Sequence, residues 1–218
     1  AVLTDTEKQM GVVLADIGGG TTDIAIFIEG SVWHTTVLAV GGNHITNDIA
    51  VGLRVPAEAA EQLKIEYGHA RPETIDPTEV VQVKAFGDGG ATRVSRRDLA
   101  EIIEARAEEI YQLVLQEIKR SGYDGLLPAG VVLTGGAAQL RGLRELGRQV
   151  LGLPVRVGGP QNLSGLVDTI DSPAYATAVG LLLWAQRQGD RVPMSNSKRG
   201  DGPDLSTRFS NFFKKMLP

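Results

Sequence analysis

The 218-residue chain contains no cysteine. Disulfide staples and thiolate-held metals are therefore excluded, and the composition suits a reducing compartment. No apolar run reaches the ~18 residues that a membrane-spanning helix requires; the longest, around Val179–Ala185, reads as a buried helix segment. Excess positive charge is also missing. The 26 acidic residues outnumber 22 basic ones for a net charge of −4, which disfavours broad electrostatic binding to nucleic acid. His34, His44 and His69 are widely spaced and lack matching carboxylates, so they do not suggest a metal site. There is no signal peptide, and the first residue is Ala1 rather than Met, as expected of a fragment of a longer protein.

What the sequence does have is 42% hydrophobic content, enough for one good core with at most a small satellite. The stretch that organises the chain is Val12–Ile28, VVLADIGGGTTDIAIFI, two apolar runs around a glycine-rich turn, which reads as a β-hairpin. Its tip has the chemistry of a phosphate cradle. Gly18, Gly19 and Gly20 let backbone amides approach an anion with no Cβ in the way, and Thr21 and Thr22 add hydroxyl donors. Asp16 would repel a phosphate unless it faces a divalent cation through water. Taken alone the triplet is simply a tight turn; its meaning depends on the rest of the chain.

Val32–Val40 alternates with period 2 and supplies a third strand, and Gly41-Gly42-Asn43 then breaks the sheet. His44–Leu53 predicts a helix with Ile45, Ile49 and Leu53 on one face, and Pro56–Tyr67 another, stopped by Gly68. Glu61 and Lys64 share a face of that second helix; on their own they read as a surface ion pair worth about half a kcal/mol. A second hairpin is expected from Val80–Phe86 and Thr92–Val94 around Gly87-Asp88-Gly89-Gly90. Ser95 and Asp98 form a capping box for a long helix to about Ser121, with Leu99, Ile102, Ile103, Ile110, Leu113, Val114 and Ile118 as its buried stripe.

Val131-Val132-Leu133 is a wholly apolar strand that runs into Thr134-Gly135-Gly136, where a planar group can approach the backbone. Leu140–Leu151 is expected to be helical and Val155–Val157 extended; Pro173 opens a helix over Ala174–Gln186 whose Ala176, Ala178 and Gly180 form a slim face. From Arg187 to Thr207 the composition is that of a flexible linker. Beyond it, Phe209, Phe212, Phe213, Met216 and Leu217 fall at helical spacing, opposite Arg208, Asn211, Lys214 and Lys215. That pattern reads as a short basic amphipathic helix that inserts into a membrane surface; the competing reading is a segment folded back on the domain.

Five blocks now stand in one order: Asp16–Asp23 (DIGGGTTD), Gly41–Ala50 (GGNHITNDIA), Ala60–Gly68 (AEQLKIEYG), Val131–Leu140 (VVLTGGAAQL) and Tyr175–Leu183 (YATAVGLLL). Over residues 1 to about 186 they resemble the second lobe of the actin-like ATPase superfamily, and within it the FtsA family of bacterial cell-division proteins. The resemblance implies an α/β fold: an actin-like, ribonuclease-H-like ATPase lobe with a smaller α+β subdomain, its first lobe missing before residue 1. Residues 1–42 and 122–186 would be the core nucleotide-binding subdomain, 43–121 the smaller one with the partner surface, 187–207 the linker and 208–218 the membrane-targeting helix.

It further implies ATP in a cleft between lobes. Gly18 to Thr22 would hold the β- and γ-phosphates, Asp16 would orient water around Mg²⁺, and Glu61, Lys64, Gly135, Gly136 and, less constrained, Gln139 would contact adenosine. The implied partners are the C-terminal tail of the tubulin-like division protein FtsZ, met by Arg106 and Arg97, further copies in actin-like filaments, and an anionic membrane, but no nucleic acid. Both arginines have an alternative in pairing with glutamates of their own helix. The implied location is the cytoplasmic face of the bacterial inner membrane at the division site, in a scaffold that is at most a weak ATPase. With half of the site missing, the chain is expected to bind ATP weakly or not at all, and helix Ala174–Gln186 to have lost part of the surface it covers.

Other members of the superfamily are the competing readings. A sugar kinase needs a general base and a sugar pocket, for which no residues stand out. A chaperone-like ATPase would carry a substrate-binding β domain after the lobe, and a shape-determining bacterial actin would place its membrane helix elsewhere. The C-terminal pattern favours the tethering adaptor.

Overall fold

A computed structural model describes residues 1–84, 90–161 and 170–189. In chain order the elements are α1 (Asp5–Met10), β1 (Val12–Ile17), β2 (Thr22–Ile28), β3 (Ser31–Leu38), α2 (Gly42–Leu53), α3 (Ala57–Tyr67), β4 (Val80–Lys84) and β5 (Ala91–Ser95). After these come α4 (Arg96–Arg120), β6 (Val131–Thr134), α5 (Leu143–Leu151), β7 (Val155–Val157) and α6 (Ala176–Gly189), with 3₁₀ turns at Pro72–Thr74, Gly136–Gln139 and Pro173–Tyr175. The chain divides into two units, Ala1–Leu183 and Trp184–Pro218; of the second, only the end of α6 lies among the described residues.

The glycine turn is too short for anything but a reversal, so β1 and β2 pair antiparallel, Val12 opposite Phe27 and Ile17 opposite Thr22. The sheet order is β3-β2-β1-β6-β7, with β3 antiparallel to β2, and β6 and β7 parallel to their neighbours. Alternation sorts the hairpin's residues onto two faces. Val13, Ala15, Ile17, Ile24 and Ile26 enter the main core together with Leu99, Ile103, Ile110 and Val114 of α4. The opposite face carries a smaller cluster, in which Val12 and Val132 meet Val2 and Ala176. Covered on both faces, β6 is buried at all four positions, which is why it is apolar without alternation. Each fully buried Ile or Leu of this kind contributes about 1.5–3 kcal/mol.

The hydroxyl of Ser95 accepts from the N–H of Asp98 at 3.2 Å and caps α4; this is one half of the expected capping box, and among the described residues Asp98 returns no bond to the Ser95 N–H. α4 packs on α2 and α5; Leu99, Ile103, Ile110, Val114 and Ile118 are buried, whereas Ile102 and Leu113 flank the stripe and are half-buried. Tyr111, not part of the expected stripe, is buried too and donates to the carbonyl of Leu143 at 2.8 Å. β4 and β5 form a separate two-stranded sheet whose buried face is Val81, Val83 and Val94. The expected turn at Gly87-Asp88-Gly89 lies outside the described residues, as do the membrane-helix residues Phe209, Phe212, Phe213, Lys214, Lys215, Met216 and Leu217.

Several boundaries differ from the sequence expectations. Leu140–Leu151 is not one helix: Leu140 is extended and Gly142 takes a left-handed φ of 78°, so α5 starts only at Leu143. Arg141 instead bridges to His69. α2 begins at Gly42, two residues earlier than expected, and Pro56 caps α3 from outside, in an extended conformation, rather than occupying its first turn. Pro173–Tyr175 is a 3₁₀ turn, after which α6 runs on through Gly189, past the expected start of the linker at Arg187.

The sequence reading also lacked α1. This helix buries none of its six residues, so no apolar periodicity announces it; it is held by a capping box in which Thr4 and Glu7 satisfy each other's backbone N–H groups. Among the described residues no helix is long and apolar enough to cross a membrane.

Candidate functional site

β1 and β6 are parallel neighbours with Asp16 opposite Thr134, so the chain leaves both strands at the same rim of the sheet. From β1 it passes into Gly18-Gly19-Gly20, and from β6 into Gly135-Gly136. Ligands of open α/β sheets bind outside this carboxyl rim of the parallel strands. Gly135 has a φ of 87°, and a Cβ there would collide with both Asp16 Oδ1 and the Ile17 carbonyl. The two corners therefore touch.

The N-terminal turn of α2 closes on the glycine loop from the other side. Gly42 N–H donates to the Gly18 carbonyl at 2.9 Å, Asn43 N–H donates to the Gly19 carbonyl at 2.8 Å, and the loop closes on itself through Gly18 N–H to Thr21 O at 2.9 Å. Gly41 makes the approach possible, since a Cβ there would sit 2.6 Å from Gly18 O. With the loop carbonyls so engaged, the N–H groups of Gly19, Gly20 and Thr21 have no backbone acceptor among the described residues. That leaves a run of amide donors available for an anion.

These parts enclose a cavity of about 570 Å³. Of the residues singled out from sequence, Gly18, Gly19, Glu61, Lys64, Gly136 and Gln139 line it. Asn43, Ile45, Ile65 and Arg141 line it as well and were missed. Asn43 and Ile45 sit in a block that resembles the family, but locally Asn43 reads as part of a sheet-breaking turn and Ile45 as the apolar face of an ordinary amphipathic helix. Ile65, 67% exposed, looks in sequence like one more turn of α3. A Cβ on Gly20 or Gly136 would meet nothing within 4 Å, so neither position is glycine to make room for protein atoms.

Glu61 and Lys64 are more than a surface pair. Lys64 Nζ donates to Glu61 Oε2 at 2.7 Å, to Thr46 Oγ1 at 2.8 Å and to the Gly42 carbonyl at 3.1 Å, and the Thr46 hydroxyl also reaches Glu61 Oε2. Burial raises the Glu61 carboxyl, but hydrogen bonds from Lys64 and Thr46 outweigh it and hold its pKa below the usual carboxylate range. Gln139 accepts from Ser172 Oγ at 3.2 Å through its side-chain oxygen.

Other expected contacts fall elsewhere. Thr22 is fully buried and its hydroxyl donates to the Val40 carbonyl at 2.8 Å, so that hydroxyl is not a donor for a phosphate. The reason is strand alternation, which turns Thr22 inward and Asp23 out. Thr21 is exposed and donates to Asp23 Oδ2 at 3.1 Å. Asp16 projects onto the face away from the main core, where Oδ2 accepts from Thr177 Oγ1 at 2.6 Å at the edge of a second cavity of about 200 Å³. Among the described residues no group of three or more metal-ligating side chains converges.

The two arginines lie outside the cavity lining. Arg97 pairs with Glu101 at 3.6 Å. Arg106 pairs with Glu109 and, across helices, with Asp48.

A five-stranded mixed sheet with glycine corners at its carboxyl rim defines an actin-like ATPase lobe. Two solved structures carry the same architecture. MreB5 of Spiroplasma citri bound to ADP superposes with a TM-score of 0.66 at 19% identity, covering 85% of this chain and 56% of that one. Ethanolamine utilization protein EutJ from Carboxydothermus hydrogenoformans gives 0.55 at 26% identity, covering 80% and 50%.

Within that class, the chain belongs to the cell division protein FtsA family, whose model matches residues 13–180. It is 46% identical over 198 residues to FtsA of Pseudomonas aeruginosa, covering 90% of this chain and 48% of that protein. Identity to FtsA of Neisseria meningitidis is 46% over 222 residues, covering 100% and 54%, and to FtsA of Escherichia coli K12 it is 41% over 189 residues, covering 84% and 45%. The chain thus spans about half the length of the curated relatives it matches.

Proposed function

We propose that the cavity between the glycine loop, α3 and the Gly135-Gly136 corner binds ATP, as part of a cell-division scaffold. One observation carries this reading: the two glycine corners meet at one rim beside a cavity of about 570 Å³ lined by Gly18, Gly19 and Gly136, and the amides of Gly19, Gly20 and Thr21 have no backbone acceptor among the described residues. That volume is in the range of small-molecule sites. Gly18, Gly19, Gly20 and Thr21 would take the phosphates through their backbone, while Gly136, Gln139, Glu61 and Lys64 would bound the nucleoside. The open space over Gly20 and Gly136 fits a close-lying ligand. Asp16 stands at the same rim and would hold the water shell of Mg²⁺, a cation that offsets phosphate charge.

In the whole protein this site would regulate self-association into filaments, in a division-site protein on the cytoplasmic face of the inner membrane. Residues 1–42 and 122–186 would form its core subdomain and 43–121 the smaller one. The FtsZ tail would dock on that smaller subdomain and the start of α4, at Arg97 and Arg106; residues 208–218 would bind anionic lipid.

Amide NMR during an ATP titration tests the site. Gly19, Gly20, Thr21 and Gly136 should shift together and saturate; shifts confined to other residues reject it. Liposome co-sedimentation with and without residues 208–218 tests the tether, and equal pelleting rejects it.

A further inference from the structure

Lys64 has no proton left for a ligand. An ammonium carries three N–H groups, and those of Lys64 are engaged by Gly42 O, Thr46 Oγ1 and Glu61 Oε2. The side chain is accordingly only 13% exposed, whereas that of Glu61 is 42% exposed. Glu61 takes both Lys64 and Thr46 on one oxygen, Oε2, and its other oxygen has no hydrogen bond among the described residues. The free group of the pair is thus an acceptor. What it can recognise is a hydroxyl donor.

We propose that Thr46 is a positioning residue of this site: by bridging the Glu61 carboxylate and the Lys64 ammonium, its hydroxyl fixes the free oxygen of Glu61 against a sugar hydroxyl of the ligand, with Lys64 as an internal tether. The proposal rests on the ATP reading and deepens it. Without Thr46, Lys64 still reaches α2 at the Gly42 carbonyl, but the Glu61 carboxylate keeps only an i, i+3 partner on its own helix. With it, Glu61 itself is tied to α2, where the Thr46 hydroxyl has the Gly42 carbonyl as its alternative acceptor. The tie reaches further, because Gly42, whose carbonyl accepts from Lys64, also holds Gly18 O of the glycine loop through its N–H. Sugar recognition and phosphate-loop geometry therefore share one hydrogen-bonded unit.

The test compares Thr46→Val, which keeps the shape and deletes the hydroxyl, with Thr46→Ser, which keeps the hydroxyl. ATP and 2′,3′-dideoxy-ATP are titrated against each full chain. A lost hydrogen bond of about 1 kcal/mol corresponds to roughly fivefold in affinity. Thr46→Val should weaken ATP by about that factor more than it weakens dideoxy-ATP, while Thr46→Ser should bind both as the parent does. Equal weakening of both nucleotides, or none, overturns the assignment.

A ligand-free measurement separates this from the parent reading: hydrogen exchange at the Gly42 and Asn43 amides should accelerate in Thr46→Val and not in Thr46→Ser. A parent chain in which neither nucleotide shifts the Gly19, Gly20 and Gly136 amides, even at the high concentrations that weak binding needs, refutes the ATP site. Unchanged exchange in Thr46→Val refutes the positioning role whatever the nucleotide result.

Discussion

Arg106 of α4 holds Asp48 of α2 with two hydrogen bonds, Nε to Oδ2 at 2.6 Å and Nη2 to Oδ1 at 3.0 Å. Both side chains are about one quarter exposed, and Arg106 also pairs with Glu109. The fork geometry makes this a specific clasp between α2 and the long helix α4. It also means that any acidic partner at Arg106 competes with an intramolecular carboxylate.

Removing that clasp should be felt in stability. Arg106→Ala leaves Asp48 half-buried without its partner and should cost about 1–2 kcal/mol. Arg106→Lys should recover little, because a point charge cannot reproduce two parallel bonds. Urea unfolding midpoints of the three proteins measure this; a lysine variant as stable as the parent would show that charge alone matters.

The two glycines of the β6 corner should behave in opposite ways. Gly135→Ala combines a φ of 87° with a Cβ in collision with the backbone oxygen of Ile17, which cannot move aside, and should destabilise by about 3 kcal/mol. Gly136→Ala meets no atom within 4 Å and should fold normally, within about 0.5 kcal/mol of the parent, yet weaken ATP binding by intruding on the cavity. Thermal unfolding and ATP titration of both variants separate the roles.

The N-terminal helix supplies a pH-dependent tie. Arg156 donates to both oxygens of Glu7, at 2.6 and 2.8 Å. Those bonds, opposed by burial and aided by Thr4, lower the Glu7 pKa from 4.5 to about 2. A carboxyl depressed on folding contributes stability above its unfolded pKa and loses it as pH falls through the folded value. The contribution, about 1 kcal/mol after solvent screening, should be complete above roughly pH 5 and fade toward pH 2. Urea titrations of the parent and Glu7→Gln should differ at pH 7 and converge below pH 2; a constant gap would mean that the pair is not what titrates.

Local chemistry made much of this protein legible. Alternation around a glycine triplet determined the β1–β2 hairpin, the apolar run of Val131-Val132-Leu133 determined a strand buried on both faces, and 3.6-residue spacing after Ser95 determined α4. Those signals suffice because each element's burial pattern is set by its own backbone period. The site was legible in part for the same reason: glycines at Gly18, Gly19 and Gly136 mark backbone corners wherever the chain goes.

Only the tertiary structure decided which side chains the corners face. Asp16 meets Thr177 from 161 residues away, and Arg106 meets Asp48 from 58. Thr46 joins a pair on another helix, 15 and 18 residues further on. Thr22 looked in sequence like a phosphate donor, and the pleat of β2 spent its hydroxyl on Val40. Such contacts depend on how separate elements cross, a property of the packed whole that no local period encodes.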